Sequence, residues 1–204
     1  SVKTQNLKWV INPYDEFAVQ EALRIREAHG GTVTVVSVGA EKTVEAIRTA
    51  LAMGADKGIL INDPAAQNLD GLSVARVLAA ALKEIKEKRA QANLEQAQVF
   101  LSANAENEGV QVLPSGLQYR ELQAGEGKSP GPNDSVVVNY RGTLIDGTEF
   151  DSSYDRGKPS TFRVKKVIKG WREALLLMKE GAKWELYIPP ELGYGKRGMR
   201  KIIP

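Results

Sequence analysis

The sequence predicts two domains of different fold class, an N-terminal α/β domain and a C-terminal α+β domain, joined by a long helix. Three observations support this prediction. Helix and strand patterns alternate in the first third of the chain, a helical pattern without proline or glycine runs from about Leu72 to Asn107, and short alternating strands with one helix follow. The alternating part favours a parallel sheet with right-handed crossovers, whereas the run of strands favours antiparallel pairing.

The first helix is predicted by the residues at its two ends. Asn12 has the side chain of an N-cap, and Pro13 suits the first helical position. Asp15 would then lie in the first turn, where acidic residues are enriched, and Gly30 would end the helix.

Two strands with a second helix between them follow. The β-branched runs "TVTVVSVG" (32–39) and "KGILIN" (57–62) predict the strands. The segment between them predicts an amphipathic helix that carries Val44, Ile47 and Leu51 on one face.

The long helix divides into an apolar and a polar part. The first part is apolar enough to pack on the sheet, and we expect its packing residues to be Leu72, Val77, Leu78, Ala81, Leu82 and Ile85. The second part is polar over 86–98 and keeps Leu94, Leu101 and Ala105 at near-heptad spacing. This part is either a stalk that pairs with a second copy in a homodimer or a lone solvated linker helix. The predicted boundaries are therefore 1–85 for the α/β domain, 86–108 for the stalk or linker helix, and 109–204 for the α+β domain.

The C-terminal part carries the signals of an antiparallel fold. Asp146-Gly147 is a strong hairpin signal. A short helix is predicted over 170–181, strands are predicted over 115–122, 135–142 and 183–189, and the hairpin signal lies within 144–150.

Composition excludes several classes of function. The chain has no cysteine and a single histidine, so thiolate metal sites, disulfides and a Ser-His-Asp triad are not expected. The net charge of +3 is too small to indicate nucleic-acid binding. No apolar run of membrane-spanning length and no signal-peptide core is found, so we expect a cytoplasmic protein without a membrane partner.

The aromatic residues of the C-terminal part are concentrated in a short stretch. Most of them would simply be core in a small domain, but Trp171 opens the predicted helix, and "DSSYDRGKP" after Phe150 is expected to break the strand and bring Asp151 close to Arg156. An apolar cup rimmed by hydroxyl groups and one charged pair is typical of a small-molecule or peptide pocket. The aromatic residues concerned are Tyr140, Phe150, Phe162, Trp171, Tyr187 and Tyr194.

These residues carry a resemblance to a known family. The segments "VVVNYRGTLIDGTEFDSSYDRGKPSTF", "VIKGWREALLLMKEGAKWELYIPPELGYG" and "IIP" resemble FKBP-type peptidyl-prolyl isomerases, in particular the bacterial kind with an N-terminal stalk helix. The resemblance runs from about Lys86 to Pro204. It implies an antiparallel half-barrel curled around one helix, and proline-containing peptides or unfolded proteins as substrates. It also implies macrolide-type inhibitors and no cofactor.

The resemblance also implies a set of pocket residues. The tryptophan ring would form the floor of the pocket and the other aromatic residues its walls, while the Ile168 N–H and the Tyr194 hydroxyl would bind substrate carbonyls. Asp151 would either hold Arg156 and Tyr140 in place or polarise the twisted carbonyl. The implied pocket residues are Tyr140, Phe150, Asp151, Arg156, Phe162, Val167, Ile168, Trp171, Tyr194 and Ile203.

The N-terminal part resembles a second, unrelated family. The segments "NPYDEFAVQEAL" and "RTALAMGAD" are similar to the beta subunit of electron transfer flavoproteins, over about residues 1–85. The resemblance implies a partial Rossmann-like sheet, pairing with an alpha subunit and a structural AMP. The alternative is that Asn12 is merely an N-cap. The AMP contacts implied are Asn12, Pro13, Tyr14, Asp15 and Val38.

Both resemblances are partial. In the first family a final strand follows "IIP", and in the second a first strand would precede Ser1, so we expect the final strand of the half-barrel to be missing. Two partial families that meet within one helix indicate a natural or engineered fusion, a mosaic, or a misassembled sequence. The functional hypotheses are a prolyl isomerase, an AMP-binding redox-partner module, and an interaction protein that binds proline peptides without turnover.

Overall fold

The computed structural model of the protein describes residues 10–66, 69–195 and 198–199. The chain divides into two compact units, Ser1–Ile85 and Lys86–Pro204. Within the described residues, no helix combines the length and the apolarity that a bilayer crossing needs.

The N-terminal unit begins with the helix that its end residues predict. Helix α1 spans Pro13–His29, and the Asn12 side chain accepts a hydrogen bond of 2.8 Å from the Tyr14 N–H. Gly30 caps the other end with a φ of 69°, in the left-handed region that glycine adopts without strain. The predicted N-cap and the predicted end of α1 are confirmed.

The two predicted strands of this unit pair in parallel. Strand β1 (Thr34–Val38) and strand β2 (Lys57–Ile61) run in register from Thr34 opposite Lys57 to Val38 opposite Ile61. A small core of Ile11, Val19 and Ala50 packs with Leu23 and Val35.

Helix α2 (Val44–Ala52) packs on β2 through fewer residues than its pattern predicts. Ile47 is buried because Gly58 has no side chain at the point of contact. A Cβ at Gly58 would lie 2.2 Å from the Ile47 side chain. Leu51 is 38% exposed, at the edge of this contact. The predicted three-residue packing face is therefore only partly correct.

Helix α3 spans Gly71–Ala105 and confirms the long predicted helix. The expected packing stripe is wrong at Leu72 and Leu82, which are 63% and 48% exposed. The half-buried side chains of the same stretch include Val74, Val77 and Ile85. At about 100° per residue, Leu72 and Leu82 point roughly 160° and 80° away from Val74, which removes them from that stripe.

The C-terminal unit is an antiparallel fold with one short helix after the end of α3. The elements are β3 (Val110–Val112), β4 (Gln118–Gln123), β5 (Ser135–Val138), β6 (Arg141–Thr143), β7 (Glu149–Ser152), β8 (Ser160–Arg163), α4 (Lys169–Leu177) and β9 (Lys183–Tyr187). Among the described residues of this unit, the strands form three sheets with the orders β3-β4-β9, β5-β8 and β6-β7, and every pair is antiparallel.

The predicted strand over 135–142 is wrong as a single element, because it breaks at Asn139 and Tyr140. The Ser153 N–H donates to the Tyr140 carbonyl and the Tyr140 N–H donates to the Ser153 hydroxyl, both at 2.9 Å. These two bonds replace a partner strand at Tyr140, so the chain leaves β8 after β5 and pairs with β7 in β6.

The segment after Phe150 also differs from the prediction. It was expected to break the strand at once, but β7 continues to Ser152, and the chain turns only at Tyr154–Gly157. Strands β3 and β8 were not predicted. They are three and four residues long, too short for a periodicity argument.

The Asp146-Gly147 hairpin is confirmed. The Gly147 N–H donates to the Leu144 carbonyl at 3.0 Å, with Gly147 at a φ of 84°. The Asp146 carboxylate accepts from the Thr148 N–H at 2.9 Å. The turn therefore needs a residue that tolerates positive φ after the aspartate.

The core of this unit lies between α4 and the sheet that contains β4 and β9. Leu117, Val164 and Ala174 have no exposed surface. Gly170 allows α4 to approach closely, because a Cβ there would lie 2.8 Å from the Ile188 side chain. The expected absence of a final strand concerns chain beyond Pro204 and stays a prediction.

Candidate functional site

Three aromatic rings meet at the centre of the C-terminal unit. The Trp171 ring centroid lies 5.1 Å from that of Tyr140 and 5.6 Å from that of Phe162, both edge to face. The Tyr140 and Phe162 centroids are 5.7 Å apart. The rings come from α4, from the break between β5 and β6, and from β8, so three distant parts of the chain converge. Such contacts contribute about 0.5–1.5 kcal/mol each beyond area burial.

The start of α4 places Trp171 in this cluster. Ile168 is extended, with φ −57° and ψ 156°, and its carbonyl accepts from the Arg172 N–H at 3.0 Å. Val167 and Ile168 are half-buried immediately before the helix. Within the described part of the chain, the Ile168 N–H has no hydrogen-bond partner.

A charged network holds the Tyr140 hydroxyl. It donates to Asp151 Oδ2 at 2.5 Å, and Arg156 Nη1 donates to Asp151 Oδ1 at 2.5 Å. Arg156 Nη2 also donates to the Tyr140 hydroxyl at 2.7 Å and to Ser160 Oγ at 3.2 Å. Both carboxylate oxygens of Asp151 are therefore engaged, and we call Tyr140, Asp151, Arg156 and Ser160 the Asp151 network.

The network shifts the pKa values of Asp151 and Tyr140 in opposite directions. The hydrogen bond from Tyr140, followed by that from Arg156, lowers the pKa of Asp151 below its ordinary value. Burial, followed by the hydrogen bond to Asp151, raises the pKa of Tyr140. At neutral pH the carboxylate is thus ionised and the phenol is neutral.

An open cleft lies beside the network. It has a volume of about 300 Å³. The rings of Tyr140, Phe162 and Trp171 are not among the residues that line this cleft, and a single cup that includes them stays a prediction. The cleft is lined by Glu149, Phe150, Asp151, Ser152, Asp155 and Arg156.

The cleft also contains a pair of carboxyl groups, Glu149 and Asp155. The hydrogen bond between Glu149 and Asp155, with burial, raises the pKa of Glu149. Glu149 also forms an ion pair of 3.0 Å with Arg141.

Phe150 is fixed by the backbone beneath it. Its ring lies over Gly142 so closely that a Cβ there would be 2.6 Å from the ring. Gly142 is therefore required for the position of Phe150, and only the strand pairing of β6 with β7 brings the two together.

Two described residues of the aromatic and pocket sets lie outside this arrangement. Tyr187 does not contribute to it, because its ring contacts Phe100 of α3, with the centroids 6.0 Å apart. Tyr194 is 36% exposed after β9, and among the described residues no ring contact or hydrogen bond joins it to the cluster. Ile203 lies outside the described residues.

Sequence reasoning missed Ser153 and Ser160. Ser153 is fully buried and bonds the backbone of Tyr140, and Ser160 accepts from Arg156. No signal in the sequence distinguishes them, since serine is common in loops and both bonds join residues that only the fold brings together.

The residues implied for AMP do not form an enclosed site. Tyr14 is 83% exposed, and the Asn12 side chain is already engaged with the Tyr14 N–H. Asp15 and Glu16 in the first turn of α1 add negative charge where a phosphate would approach, while Pro13 is exposed and Val38 half-buried in β1. These residues do not by themselves fit a nucleotide phosphate, and AMP binding stays a prediction.

Comparison with known families matches two of them. Residues 126–204 match the family described as FKBP-type peptidyl-prolyl cis-trans isomerase. Residues 1–115 match the electron transfer flavoprotein domain.

The two curated relatives named here are similar to about half of the chain. Peptidyl-prolyl cis-trans isomerase Mip of Coxiella burnetii is 58% identical over 111 residues, which cover 54% of this chain and 48% of that protein. Outer membrane protein MIP of Legionella longbeachae is 53% identical over 112 residues, 55% of this chain and 48% of that protein. The chain therefore spans about half the length of the curated relatives it matches.

A solved structure matches over a longer range. The crystal structure of FkpA from Escherichia coli is 33% identical, with a TM-score of 0.65, over 94% of this chain and 85% of that one. The likeness supports the order of an N-terminal helix and strand region, a long helix and a C-terminal antiparallel sheet.

Proposed function

Since the chain belongs to the FKBP-type peptidyl-prolyl cis-trans isomerases by its C-terminal unit and to the electron transfer flavoprotein domain family by residues 1–115, we propose that it catalyses rotation about X–Pro peptide bonds. The observation that carries this proposal is the convergence of Tyr140, Phe162 and Trp171 beside a carboxylate–guanidinium pair. The substrates are proline-containing segments of peptides or folding proteins.

The reaction requires little covalent chemistry from the protein. Rotation about a peptide bond has a barrier of about 18–20 kcal/mol because resonance stiffens the C–N bond. No bond is made or broken, so catalysis requires only that the twisted amide is bound better than the planar one. The planar amide is more polar than the twisted amide. An aromatic wall that excludes water therefore destabilises the planar form more than the twisted form.

The described residues divide the task between them. The ring cluster supplies the apolar surface for the pyrrolidine. The Ile168 N–H, which has no partner among the described residues, supplies a donor for a substrate carbonyl. Phe150, on the other side of Asp151, forms a wall toward the cleft. Tyr194 and Ile203 complete the proposed set, with the Tyr194 hydroxyl as a second donor.

Asp151 acts as a positioning residue in this proposal. Its two oxygens are occupied by Tyr140 and Arg156, so the carboxylate is not free to approach a substrate carbonyl. Of the two roles open at the sequence level, we therefore favour holding Tyr140 and Arg156 in place.

The proposal extends to the finer features of the fold. The antiparallel strands around α4 form the curled half-barrel of the family, with the isomerase domain over 109–204 and a stalk or linker helix over 86–108. The parallel pair β1–β2 is the remnant of a Rossmann-like sheet over 1–85. Dimerisation through the stalk, macrolide binding and a fused origin stay predictions. The cytoplasmic location also stays a prediction, and one of the relatives is named an outer membrane protein.

The experiment that tests the function is exchange NMR on an acetylated proline pentapeptide with catalytic amounts of the full chain. We expect cis–trans exchange to become faster than the uncatalysed tens to hundreds of seconds. A Phe162→Ala variant that remains folded should lose most of the acceleration. Exchange that is unchanged by the chain would contradict the proposal.

A further inference from the structure

A strip of basic side chains runs along the segment that joins β8 to α4. All five cations are exposed, and no acidic residue lies between the first and the last of them. We call this set the basic strip; its members are Arg163, Lys165, Lys166, Lys169 and Arg172.

The basic strip accounts for the net positive charge of its unit. Residues 86–204 contain 19 basic and 15 acidic side chains, and without the five of the strip the balance is 14 against 15. The remainder of the unit is thus almost neutral, and its net positive charge equals that contributed within the ten residues of the strip.

Nothing in the described part of the chain neutralises the strip by an ion pair. Lys165 Nζ donates to Asn133 Oδ1 at 3.2 Å, and Arg172 Nη2 donates to the Lys165 carbonyl at 3.3 Å. The second bond joins the Arg172 guanidinium to the backbone of Lys165, and neither bond brings an acidic partner to the strip. Because five cations follow one another within ten residues, an anion bound among them would reduce their mutual repulsion.

The nearest acidic side chains are turned to other partners. Glu173 accepts from the Ser115 hydroxyl at 2.8 Å. Asp134, whose carbonyl accepts from the Val164 N–H, directs its carboxylate to the Gly131 N–H at 2.7 Å. The strip therefore remains available to a carboxylate from another molecule.

The basic strip alternates with the residues of the proposed pocket. Phe162 and Trp171 enter the ring cluster, and Val167 and Ile168 are half-buried between them, while the cations in the same segment are exposed. The Ile168 N–H, which has no partner among the described residues, lies directly between Lys166 and Lys169 along the chain. A peptide carbonyl bound there would bring the neighbouring residues of the peptide past both lysines.

We propose that the basic strip selects substrates that carry aspartate or glutamate within two residues of the proline. This inference rests on the proposed isomerase function and adds the substrate class. An extended peptide advances about 3.3 Å per residue, so such carboxylates stay within the reach of flexible lysine side chains. Exposed ion pairs change an equilibrium by up to about fivefold each, so a pair of them gives a preference of about three- to tenfold.

The test compares three acetylated and amidated pentapeptides, Ala-Xaa-Pro-Xaa-Ala, with Xaa as glutamate, glutamine or lysine. Exchange NMR gives kcat/KM for each peptide with the full chain. We expect the glutamate peptide to exceed the glutamine peptide by about three- to tenfold at low salt, and the lysine peptide to be the slowest. The advantage should shrink to less than about twofold near 0.5 M salt, where screening is short-ranged.

Two double variants separate the strip from overall charge. Lys166→Gln with Lys169→Gln should remove the glutamate advantage and leave the glutamine peptide unchanged. Lys179→Gln with Lys183→Gln lowers the net charge equally at exposed positions outside the strip and should keep the advantage.

The outcomes distinguish this inference from the proposed function. No acceleration of any peptide would remove the isomerase function itself. Equal turnover of the three peptides would overturn the selectivity alone, as would a preference that both double variants retain. Equal turnover together with binding to vesicles containing phosphatidylglycerol would assign the strip to an anionic lipid surface instead, and would also overturn the proposal.

Discussion

The two units differ in how the residues of their candidate sites are brought together. In the N-terminal unit four of the five residues implied for AMP are consecutive at the start of α1, and their side chains are exposed or used for capping. In the C-terminal unit, Tyr140, Phe162 and Trp171 come from three places in the chain and contact one another directly, and Asp151, from a fourth, bonds Tyr140. Residues that are consecutive in a motif lie close together because of local structure alone. Residues that are distant in the sequence come together only when the whole unit adopts its fold. The second is therefore the stronger argument for a site.

The largest expected effect is that of Trp171→Ala. Removing the ring deletes two edge-to-face contacts and the floor of the proposed pocket, so we expect kcat/KM in exchange NMR to fall about a hundredfold, equivalent to about 2.7 kcal/mol. Urea unfolding should show a loss of about 3 kcal/mol. Trp184→Ala is the matched control, because Trp184 stacks on Tyr119 at 4.1 Å and contacts no ring of the cluster. Equal activity losses in the two variants would remove the distinction between the cluster and ordinary core.

A double-mutant cycle at Asp151 and Arg156 should give the next largest effect. If Asp151 holds Arg156 and Tyr140 in place, Asp151→Asn and Arg156→Met should each lower kcat/KM about tenfold, and the double variant should be little worse. Losses that simply add would show that the two side chains act independently, and would favour a direct role of Asp151 on the substrate carbonyl.

Asn12→Ala tests the N-terminal unit with a smaller effect. Loss of the N-cap should destabilise the chain by about 1 kcal/mol in thermal or urea unfolding, and Asn12→Ser, which can still cap the helix, should restore most of it. Equilibrium dialysis of AMP against both variants then separates capping from binding. If the wild-type chain binds AMP tightly and both variants do not, α1 carries a real binding site. The contrast between a C-terminal unit with a formed site and an N-terminal unit without one would then be wrong.

The smallest expected effect is on pH dependence. The folded-state pKa of Asp151 is lowered and that of Tyr140 is raised, so neither group titrates between about pH 5 and 9, and kcat/KM should be flat over that range. Because the pKa of Asp151 is depressed, its stabilising contribution is present above the unfolded pKa of about 3.9 and is lost as the pH falls through the folded value. The difference in unfolding free energy between wild type and Asp151→Asn should therefore be constant above pH 5 and decrease in acid. Asp151 is 40% exposed, so this difference will be modest.

Local signals in the sequence predicted the local structure well. Asn12, Pro13 and Gly30 gave the ends of α1, and Asp146-Gly147 gave the hairpin, because capping and turn chemistry involve residues only a few positions apart. The length of α3 followed from the absence of helix breakers. Its packing face did not, since the choice of buried stripe depends on what surrounds the helix.

Long-range features were the ones that sequence reasoning could not supply. The break between β5 and β6 depends on Ser153, thirteen residues after Tyr140, and no local pattern announces it. The resemblance named the members of the ring cluster and, apart from Ser160, those of the Asp151 network, but their pairing follows from coordinates alone.

Ser153 also bears on how the pocket could be re-engineered. Ser153 is completely buried and forms two hydrogen bonds to the backbone of Tyr140. The backbone that supports the aromatic walls is therefore held largely independently of the side chains that form those walls. A directed-evolution library that randomises positions 150 and 162 while leaving 153 untouched would sample new cavity shapes on an intact frame. Libraries that include position 153 would mostly yield chains that never reach the soluble fraction.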